Sequence, residues 1–395
     1  MARLQAFKFR IKPNGEQRRL LTQYMGNNRK VWNLALDRQQ QDYAAGNRYS
    51  NAFEMINWLP AWKKAFSFLN ISPAQTLQQV MKDLDRAFKN FFEKRSAYPN
   101  FKKKDRSIIG VRYPQAKQFT VDEVNSRIKL PKLGWIRYRK SQLIKGTIKN
   151  LILTTKAGHW YVSIQTKREI EQPIHPSSSM VGIDMGIRQF ATLSNGKVIE
   201  PINPLKNKTE KLANYQRRSA RQVKFSQSWK KQQQKIRKLH EKIANTRQDF
   251  LHKASSAISK SHAIIVIEDL KVTNMSHSAS GTIEAPGRNV KAKSGLNKAI
   301  LDQGWGEFRR QLEYKSAWLG GEVVAINPKN TSRCCPICHS TSADNRRTQS
   351  EFECTVCGYA DNADLNAALN ILRAGHARLA CQVNDAVMSS AAGTH

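Results

Sequence analysis

Residues 180–184 read MVGID, an apolar run that ends in a carboxylate. Residues 264–268 read IIVIE and end in the same way. Short apolar runs of this length are typical of strands that are buried on both faces. A third acidic residue, Asp364, opens the helical pattern DLNAALNIL. We therefore predict that Asp184 and Glu268 end two buried strands and that Asp364 begins a helix.

The chain is strongly basic. Its 395 residues contain 66 Lys and Arg against 30 Asp and Glu, which gives a formal net charge of +36. Such a charge favours phosphate polyanions as partners, because each phosphate contact releases counterions from the nucleic acid. A ribosomal-type protein or a membrane-surface binder would carry a similar charge, but neither class needs carboxylates beside buried strands.

The sequence carries no sign of export or of membrane insertion. No apolar run approaches the roughly 18 residues that a membrane-spanning helix requires, and the basic amino terminus lacks the apolar core of a signal peptide. Five of the six cysteines lie between residues 334 and 357, a distribution that argues against a secreted disulfide framework. We expect a cytoplasmic protein with no membrane partner.

The apolar periodicity predicts a multi-domain α/β protein. Apolar residues alternate over 4–12 as in a strand, have helical spacing over 15–95 and form short strands over 107–168. After a linker rich in Pro and Ser, Asn195-Gly196 indicates a hairpin. The remaining elements that we expect are long helices over 204–260, a strand over 263–270, a mobile loop over 276–295, a helix over 297–319, a strand over 322–326 and a last helix over 364–373.

Three converging carboxylates suit phosphodiester hydrolysis by two divalent metal ions, in which one ion activates water and the other stabilises the leaving oxygen. Two carboxylates about 4 Å apart repel each other by roughly 4 kcal/mol at an effective dielectric constant of 20, so such a group favours bound cations. Oxygen ligands with open positions suit Mg²⁺ or Mn²⁺, and we expect two ions at Asp184, Glu268 and Asp364. A lone aspartate at a strand end is more often a cap, and the residues alone do not exclude Asp269 or Asp361.

Two cysteine pairs have the spacing of a zinc ribbon. The pairs CPIC, residues 335–338, and CTVC, residues 354–357, are separated by 15 residues. Four thiolates bind one tetrahedral Zn²⁺ and leave it no open position, so its role would be structural. Cys334 is an alternative to Cys335 as a ligand, and His339 is a weaker one. The predicted ligands are Cys335, Cys338, Cys354 and Cys357.

Two polar surfaces are candidates for nucleic-acid contact. Residues 204–260 hold sixteen Lys or Arg against three acidic residues, more than solubility requires. The candidates that we place in this segment are Arg217, Arg218, Arg221, Lys230, Lys231 and Lys235. A second set lies on the helix that should begin at Ser72-Pro73, where an ordinary solvated surface is the simpler interpretation. That set, a hypothesis for reading a short DNA motif, is Gln75, Gln78, Gln79 and Lys82.

Several further motifs are distributed along nearly the whole chain. Together with the two cysteine pairs they are FRIKP at 9–13, VWN at 31–33, YPNFK at 98–102, VGIDMG at 181–186, IEDL at 267–270, GWGEF at 304–308 and DLNAALNI at 364–371. In these motifs the sequence resembles the transposon-encoded TnpB (OrfB) family, the RNA-guided nucleases related to type V CRISPR effectors. The final motif of that family places the third catalytic aspartate before the sequence residue–Asn–Ala–Ala, which is Asp364 and not Asp361.

The resemblance implies a guide RNA transcribed from the transposon end (an omega RNA) and a double-stranded DNA target beside a short adjacent motif that the protein reads. We expect the protein to work as a monomer with its RNA, although the sequence itself does not give the oligomeric state. Together with segment composition, the resemblance places a wedge β-barrel in 1–12 and 100–170, a helical recognition lobe in 13–99, a linker in 171–179, a RuvC-like (RNase H-like) nuclease in 180–330 and 359–375, a zinc ribbon in 331–358 and a disordered tail in 376–395.

Three other functions fit parts of this pattern. A non-cutting, RNA-guided DNA-binding regulator would not need the three acidic residues. A guide-independent transposase or resolvase would use the same acids but would cut without RNA. A purely structural RNA-binding protein would explain the charge and leave the acid placement unexplained. The three acidic residues favour cleavage, and the resemblance implies that the cleavage is RNA-guided.

Overall fold

The computed structural model describes residues 2–104 and 109–391, with only the backbone described over 382–391. The chain divides into two compact units, Met1–Glu171 and Gln172–His395.

The first unit combines one antiparallel sheet with a group of helices. Its elements are β1 (Ala2–Lys12), α1 (Gly15–Ala44), α2 (Ala52–Ile56), α3 (Leu59–Ala65), α4 (Ala74–Phe92), β2 (Val111–Tyr113), β3 (Thr120–Asp122), β4 (Arg127–Leu130), β5 (Gly134–Tyr138), β6 (Thr147–Lys156) and β7 (His159–Glu169). The strand order is β2-β6-β7-β1-β5-β4-β3. Since β2 and β3 stand at the two ends of this order, hydrogen bonding among the described strands does not close the sheet into a ring.

Local signals in the sequence explain where the main helix of this unit begins. The side chain of Asn14 accepts a hydrogen bond from the backbone N–H of Gln17, and the Gln17 side chain accepts one from the Asn14 N–H. This reciprocal capping box satisfies two N–H groups that a helix start would otherwise leave without partners. On the helices, Leu36, Leu77 and Leu84 are fully buried in one apolar cluster, so α1 and α4 share a core.

The second unit contains a five-stranded sheet with helices. Its elements are β8 (Met180–Asp184), β9 (Ala191–Leu193), β10 (Val198–Ile199), α5 (Thr209–Ala220), α6 (Gln227–Ser261), β11 (Ile264–Glu268), α7 (Val272–Met275), α8 (Val290–Gln303), α9 (Trp305–Leu319), β12 (Glu322–Ile326), β13 (Glu351–Glu353), β14 (Ala360–Asn362) and α10 (Ala363–Ala391). The strand order is β10-β9-β8-β11-β12, and β13 pairs with β14 in a separate ribbon. The hairpin predicted at Asn195-Gly196 is present between β9 and β10.

The two faces of this sheet follow the alternation of side chains along β8 and β11. Val181, Ile183, Ile265 and Ile267 pack in a cluster with residues of α6, α8 and α9. Val266, on the other face, packs with Ile371 of α10. Since successive side chains of a strand point to opposite faces, both faces of the central strands are covered, as the unbroken apolar runs predict.

Glycine allows α10 to lie directly on the sheet. A Cβ atom at Gly182 would stand 2.3 Å from the carbonyl oxygen of Ala368, and a Cβ at Gly375 would stand 2.4 Å from Val266 Cγ2. Neither distance can accommodate a side chain. The absence of a Cβ at Gly182 therefore sets how closely α10 approaches β8.

Two sequence expectations in this unit are wrong. The single helix expected over 297–319 is two helices, because Gly304 adopts a left-handed conformation with φ of 74° between α8 and α9, which ends the first of them. Helix α8 also begins at Val290, inside the segment expected to be a mobile loop over 276–295.

The end of the chain differs as well. The last helix was expected to stop near residue 373 and to be followed by a disordered tail over 376–395, but α10 is helical through Ala391. Residues 374–391 contain five alanines and no proline, and alanine is the strongest helix former. Residues 392–395 lie outside the described part of the chain. Within the described part, no helix combines the length and the apolar character needed to span a bilayer.

Candidate carboxylate site and cysteine cluster

The three acidic residues singled out by the sequence lie on three neighbouring elements of the second unit. Asp184 is the last residue of β8, and Glu268 is the last residue of β11. These strands are parallel, with Ile183 opposite Ile267, so the two carboxylates leave the sheet at the same edge. Asp364 lies in the first turn of α10, the helix that packs on β8 at Gly182.

The first turn of α10 is held by a local cap. The side-chain oxygen of Asn362 accepts hydrogen bonds from the backbone N–H groups of Asp364, at 2.9 Å, and Leu365, at 3.2 Å. An asparagine at this position satisfies N–H groups that have no partner inside the helix. The cap therefore fixes the backbone from which the Asp364 side chain extends.

The electrostatics show that the carboxylates interact. Burial, and then the negative charges of Glu268 and Asp364, raise the pKa of Asp184 to about 7. Burial also raises the pKa of Glu268, opposed by a hydrogen bond from Thr331. The guanidinium of Arg346 lies 3.7 Å from an Asp364 oxygen and acts in the opposite direction on Asp184, lowering its pKa. A cation at this site would remove the repulsion that raises the Asp184 pKa.

One buried hydrogen bond orients Glu268. The hydroxyl of Thr331 donates to Glu268 Oε1 at 2.6 Å, and both residues keep only 9% of their surface exposed. Thr331 follows β12 by five residues, in the segment that leads to the cysteines. The sequence gives no signal for this contact, because it joins residues 63 positions apart.

The two alternative aspartates have other partners. Asp269 forms ion pairs at 2.6 Å with Lys271 and with Arg309. Asp361 accepts a hydrogen bond from the Tyr359 hydroxyl at 2.7 Å and another from the Asn362 N–H at 2.7 Å. Neither carboxylate is among the groups that influence the pKa of Asp184. Both carboxylates are therefore engaged by groups other than the three acidic residues above.

The four cysteines predicted as zinc ligands form one cluster. Their sulfur atoms all lie within 4.8 Å of one another. The Sγ–Sγ distance is 3.6 Å between Cys335 and Cys357 and 3.5 Å between Cys338 and Cys354. Tetrahedral zinc with Zn–S bonds of about 2.3 Å requires sulfurs about 3.8 Å apart. The cluster thus has the size of a four-thiolate zinc site.

Cys334, the alternative ligand, does not belong to the cluster. Its Sγ lies 3.0 Å from a guanidinium nitrogen of Arg373, and its carbonyl oxygen accepts from Asn366 and Asn370 on α10. The ring of His339 also contacts Arg373. Cys335 is therefore the residue of this pair that faces the other three sulfurs.

The side chain of Asn345, a residue that sequence reasoning missed, links the two cysteine turns through hydrogen bonds. It is fully buried, and its amide nitrogen donates to the carbonyl oxygens of Arg333, at 3.0 Å, and Ser340, at 3.3 Å. Its side-chain oxygen accepts from the N–H and the hydroxyl of Thr355, both at 3.0 Å. One amide thus links the turn of the first pair to the turn of the second.

The candidate nucleic-acid-binding residues differ in how far their side chains are exposed to solvent. On α4, Gln79 is buried at 8% exposure, Gln75 and Gln78 are half-buried and Lys82 is exposed. Burial leaves Gln79 poorly placed to read DNA. The basic candidates of α5, α6 and the segment between them are all exposed: Arg217, Arg218, Arg221, Lys230, Lys231 and Lys235.

Comparison with known proteins places the chain in a family. A family model described as "Probable transposase" (OrfB_IS605) matches residues 162–279, and one described as "Cas12f1-like, TNB domain" matches residues 305–371. The Escherichia coli (strain K12) protein named "Putative RNA-guided DNA endonuclease InsQ" is 54% identical over 96% of this chain and 94% of its own length. The chain belongs to the TnpB (OrfB) family. A Streptomyces pristinaespiralis member named "Putative RNA-guided DNA endonuclease" is 33% identical over 95% of this chain and 90% of its own.

The fold is shared more widely within this group. A chain of the solved Cas12f1-sgRNA-target DNA complex superposes with a TM-score of 0.56 at 15% identity, over 94% of this chain and 98% of that one. A third family model, described as "Helix-turn-helix domain", matches residues 1–48. In the structure, the described part of this range consists mainly of strand β1 and helix α1.

Proposed function

We propose that this TnpB-family chain is an RNA-guided DNA endonuclease that cuts double-stranded DNA at the carboxylate site of its second unit. The guide would be an RNA from the transposon end, and the target would lie beside a short motif read by the protein. The observation that carries the proposal is the placement of three acidic residues on three separate elements, where the charges of Glu268 and Asp364 add to burial in raising the pKa of Asp184. The names of the relatives at 54% and 33% identity support the same activity.

The donor set fits a divalent metal of the Mg²⁺ or Mn²⁺ type, since it offers carboxylate oxygens only. Asp184, Glu268 and Asp364 would hold two such ions, which supply Lewis-acid activation of water and of the leaving oxygen when bound. The chain itself contributes orientation and charge. Thr331 holds one oxygen of Glu268, and Asp184 carries a proton below about pH 7 that has to leave before its carboxylate can serve as a ligand.

The domain assignment extends this proposal to the whole chain. The sheet of the first unit would be the wedge domain and α1–α4 the recognition lobe. The five-stranded sheet with α10 would be a RuvC-like nuclease, interrupted by a zinc ribbon that holds one structural Zn²⁺ at the cysteine cluster. The exposed basic residues of α5 and α6 would contact phosphates of the guide or target, and Gln75, Gln78 and Lys82 on α4 would read the adjacent DNA motif.

The test compares single substitutions in the protein purified with its RNA. Asp184→Ala and Glu268→Gln should each lower the rate of plasmid cleavage in Mg²⁺ by at least about 10²–10³-fold, the scale of losing one catalytic electrostatic group, while RNA binding persists. Asp269→Asn is the matched control, because it changes the acidic residue next to Glu268 that is engaged in ion pairs. It should cut like the wild type.

Three outcomes would contradict the proposal. Appreciable cutting by Asp184→Ala or Glu268→Gln would contradict the assignment of cleavage to the carboxylate site. Cleavage by protein freed of RNA would favour a guide-independent transposase or resolvase. Binding of guide-matched DNA without any cleavage by the wild type would favour a non-cutting regulator. Sequencing the RNA that copurifies would identify both guide and target.

A further inference from the structure

We infer that Thr331 is a positioning residue for Glu268, and that helix α10 holds it in place through the amide of Asn370. The inference rests on the proposed function of the carboxylate site. It adds to that site a hydroxyl group which lies outside the three acidic residues and outside the cysteine ligands. It also gives α10 a second task beyond carrying Asp364.

The contact between Thr331 and Glu268 has the features of an orienting hydrogen bond. At 2.6 Å it lies within the range of about 2.5–2.7 Å that is typical of hydroxyl–carboxylate bonds. Both side chains are buried, so water does not compete for the Glu268 oxygen. With Oε1 engaged, the carboxylate has one preferred rotation about its terminal torsion, and that rotation fixes the direction of Oε2. Groups that orient metal-binding carboxylates in this way typically contribute 10–100-fold to metal affinity or activity.

A loop residue can orient a carboxylate only if the loop itself is fixed, and the amide of Asn370 fixes this one. Its Nδ2 donates to the carbonyl oxygens of Thr331, at 3.0 Å, and Cys334, at 2.7 Å. Asn366, one helical turn earlier, donates to the same Cys334 oxygen at 3.2 Å. Both asparagines are buried, at 3% and 0% exposure.

Helix α10 is therefore linked to two of the acidic residues. Asp364 extends directly from its first turn, and the carboxylate of Glu268, at the end of β11, is oriented through Asn370 and Thr331. Because Asn366 and Asn370 are spaced by four residues, their amides stand on one face of α10. The orientation of the Glu268 carboxylate is thus tied to the helix that carries Asp364.

The experiment uses Thr331→Val and Thr331→Ser in the RNA-loaded protein. Valine keeps the shape of threonine and removes the hydroxyl, whereas serine keeps the hydroxyl and removes the methyl group. We expect Thr331→Val to cut 10–100-fold more slowly at saturating Mg²⁺ or to need a correspondingly higher Mg²⁺ concentration for half-maximal rate. Thr331→Ser should restore both quantities to within a few-fold of wild type, an effect that loss of packing alone would not produce.

A matched control is available in the segment between the two cysteine pairs. Thr348 also donates its hydroxyl to a glutamate, Glu351 Oε2 at 3.1 Å, but both residues are exposed. Thr348→Val should leave the cleavage rate and the Mg²⁺ requirement unchanged. Zinc content, guide-RNA affinity and melting temperature of each variant report on folding. Asn370→Ala, which frees the loop and leaves the Thr331 hydroxyl, should show the same rise in Mg²⁺ requirement.

Two results would overturn the inference. One is wild-type rate and Mg²⁺ dependence in Thr331→Val, and the other is a Thr331→Ser protein as impaired as Thr331→Val. The Glu268→Gln variant separates this failure from failure of the proposed function. If Glu268→Gln is inactive while Thr331→Val cuts normally, only the positioning role is wrong. If Glu268→Gln still cuts, the carboxylate site itself is wrongly assigned.

Discussion

Neutralising Asp184 should stabilise the metal-free protein at high pH while abolishing its cleavage activity. The folded-state pKa of Asp184 is about 7, against an ordinary value of 3.8. The folded protein therefore binds the proton more tightly than the unfolded chain does, and its stability falls as the pH rises from about 4 to about 7. Above pH 7 the full cost of burying the charge is present. Asp184→Asn removes that cost.

The size of the effect follows from the two pKa values. A tenfold difference in proton affinity is worth about 1.4 kcal/mol, so the difference between 3.8 and about 7 sets an upper limit of about 4 kcal/mol. The Asp184 side chain is only partly buried by its surface exposure, and solvent screening should reduce the effect to about 2 kcal/mol. For a unit of 150–250 residues this corresponds to a rise in melting temperature of about 4–8 °C.

The assay is thermal unfolding of the wild type and of Asp184→Asn at pH 5 and pH 8, in buffer without added divalent metal. Chelators are avoided so that the zinc content, measured separately, stays constant. The variant should melt higher than the wild type at pH 8, and its gain at pH 5 should be less than half as large, because the cost of the buried charge develops between about pH 4 and about pH 7. Added Mg²⁺ should raise the melting temperature of the wild type more than that of the variant, since a ligand stabilises the state that binds it.

Asp269→Asn is the control for this prediction. Hydrogen bonds and ion pairs with Lys271 and Arg309 lower the pKa of Asp269, so its charge stabilises the fold above its unfolded pKa and its removal should not raise stability at pH 8. The reasoning would be refuted if Asp184→Asn gave no gain at pH 8, or the same gain at pH 5 and pH 8.

Further predictions concern the zinc cluster, the helix–sheet contact and the basic helices. Cys335→Ser should lose the single bound zinc and Cys334→Ser should keep it, as metal analysis of the purified proteins would show; equal retention would contradict the ligand assignment. Gly182→Ala should lower the free energy of unfolding by about 1–3 kcal/mol, because its Cβ would stand 2.3 Å from a carbonyl oxygen of α10. Urea denaturation measures this free energy, and an unchanged midpoint would disprove the close approach. Replacing Lys230, Lys231 and Lys235 together by Gln should reduce the slope of log affinity for guide RNA against log salt concentration by about 2–3. Each phosphate that the protein no longer neutralises accounts for about 0.7–0.9 of this change. An unchanged slope would place the RNA elsewhere.

Sequence patterns located the acidic residues and the cysteines because each is tied to a local signal. The apolar runs before Asp184 and Glu268 are typical of short buried strands, and parallel pairing brings their ends together. The spacing of the cysteine pairs is sufficient to identify their cluster. The sequence does not predict that the helix ends at Gly304, because a glycine inside an amphipathic pattern is compatible with one continuous helix as well as with two separate helices.

The supporting residues could not be predicted for a different reason. Thr331, Asn345 and Arg346 act through partners that are distant in sequence or through carbonyl groups, which every residue possesses. No periodicity marks such positions. Arg346 stands beside Arg347 in a basic segment, so composition alone suggests a solvated charge. Only the packing of α10 against the sheet and against the cysteine-containing segment places Thr331 beside Glu268 and Arg346 beside Asp364.

The placement of Asp364 on α10 has a consequence for synthesis on the ribosome. Chain elongation at about 5–20 residues per second separates the emergence of Glu268 from that of Asp364 by about 5–20 s. During that interval β8 and β11 exist without the helix that covers Gly182 and Val266. The nascent chain cannot complete its carboxylate group in this period. Assembly of the three acidic residues is therefore one of the last folding events, after the first unit has had time to fold.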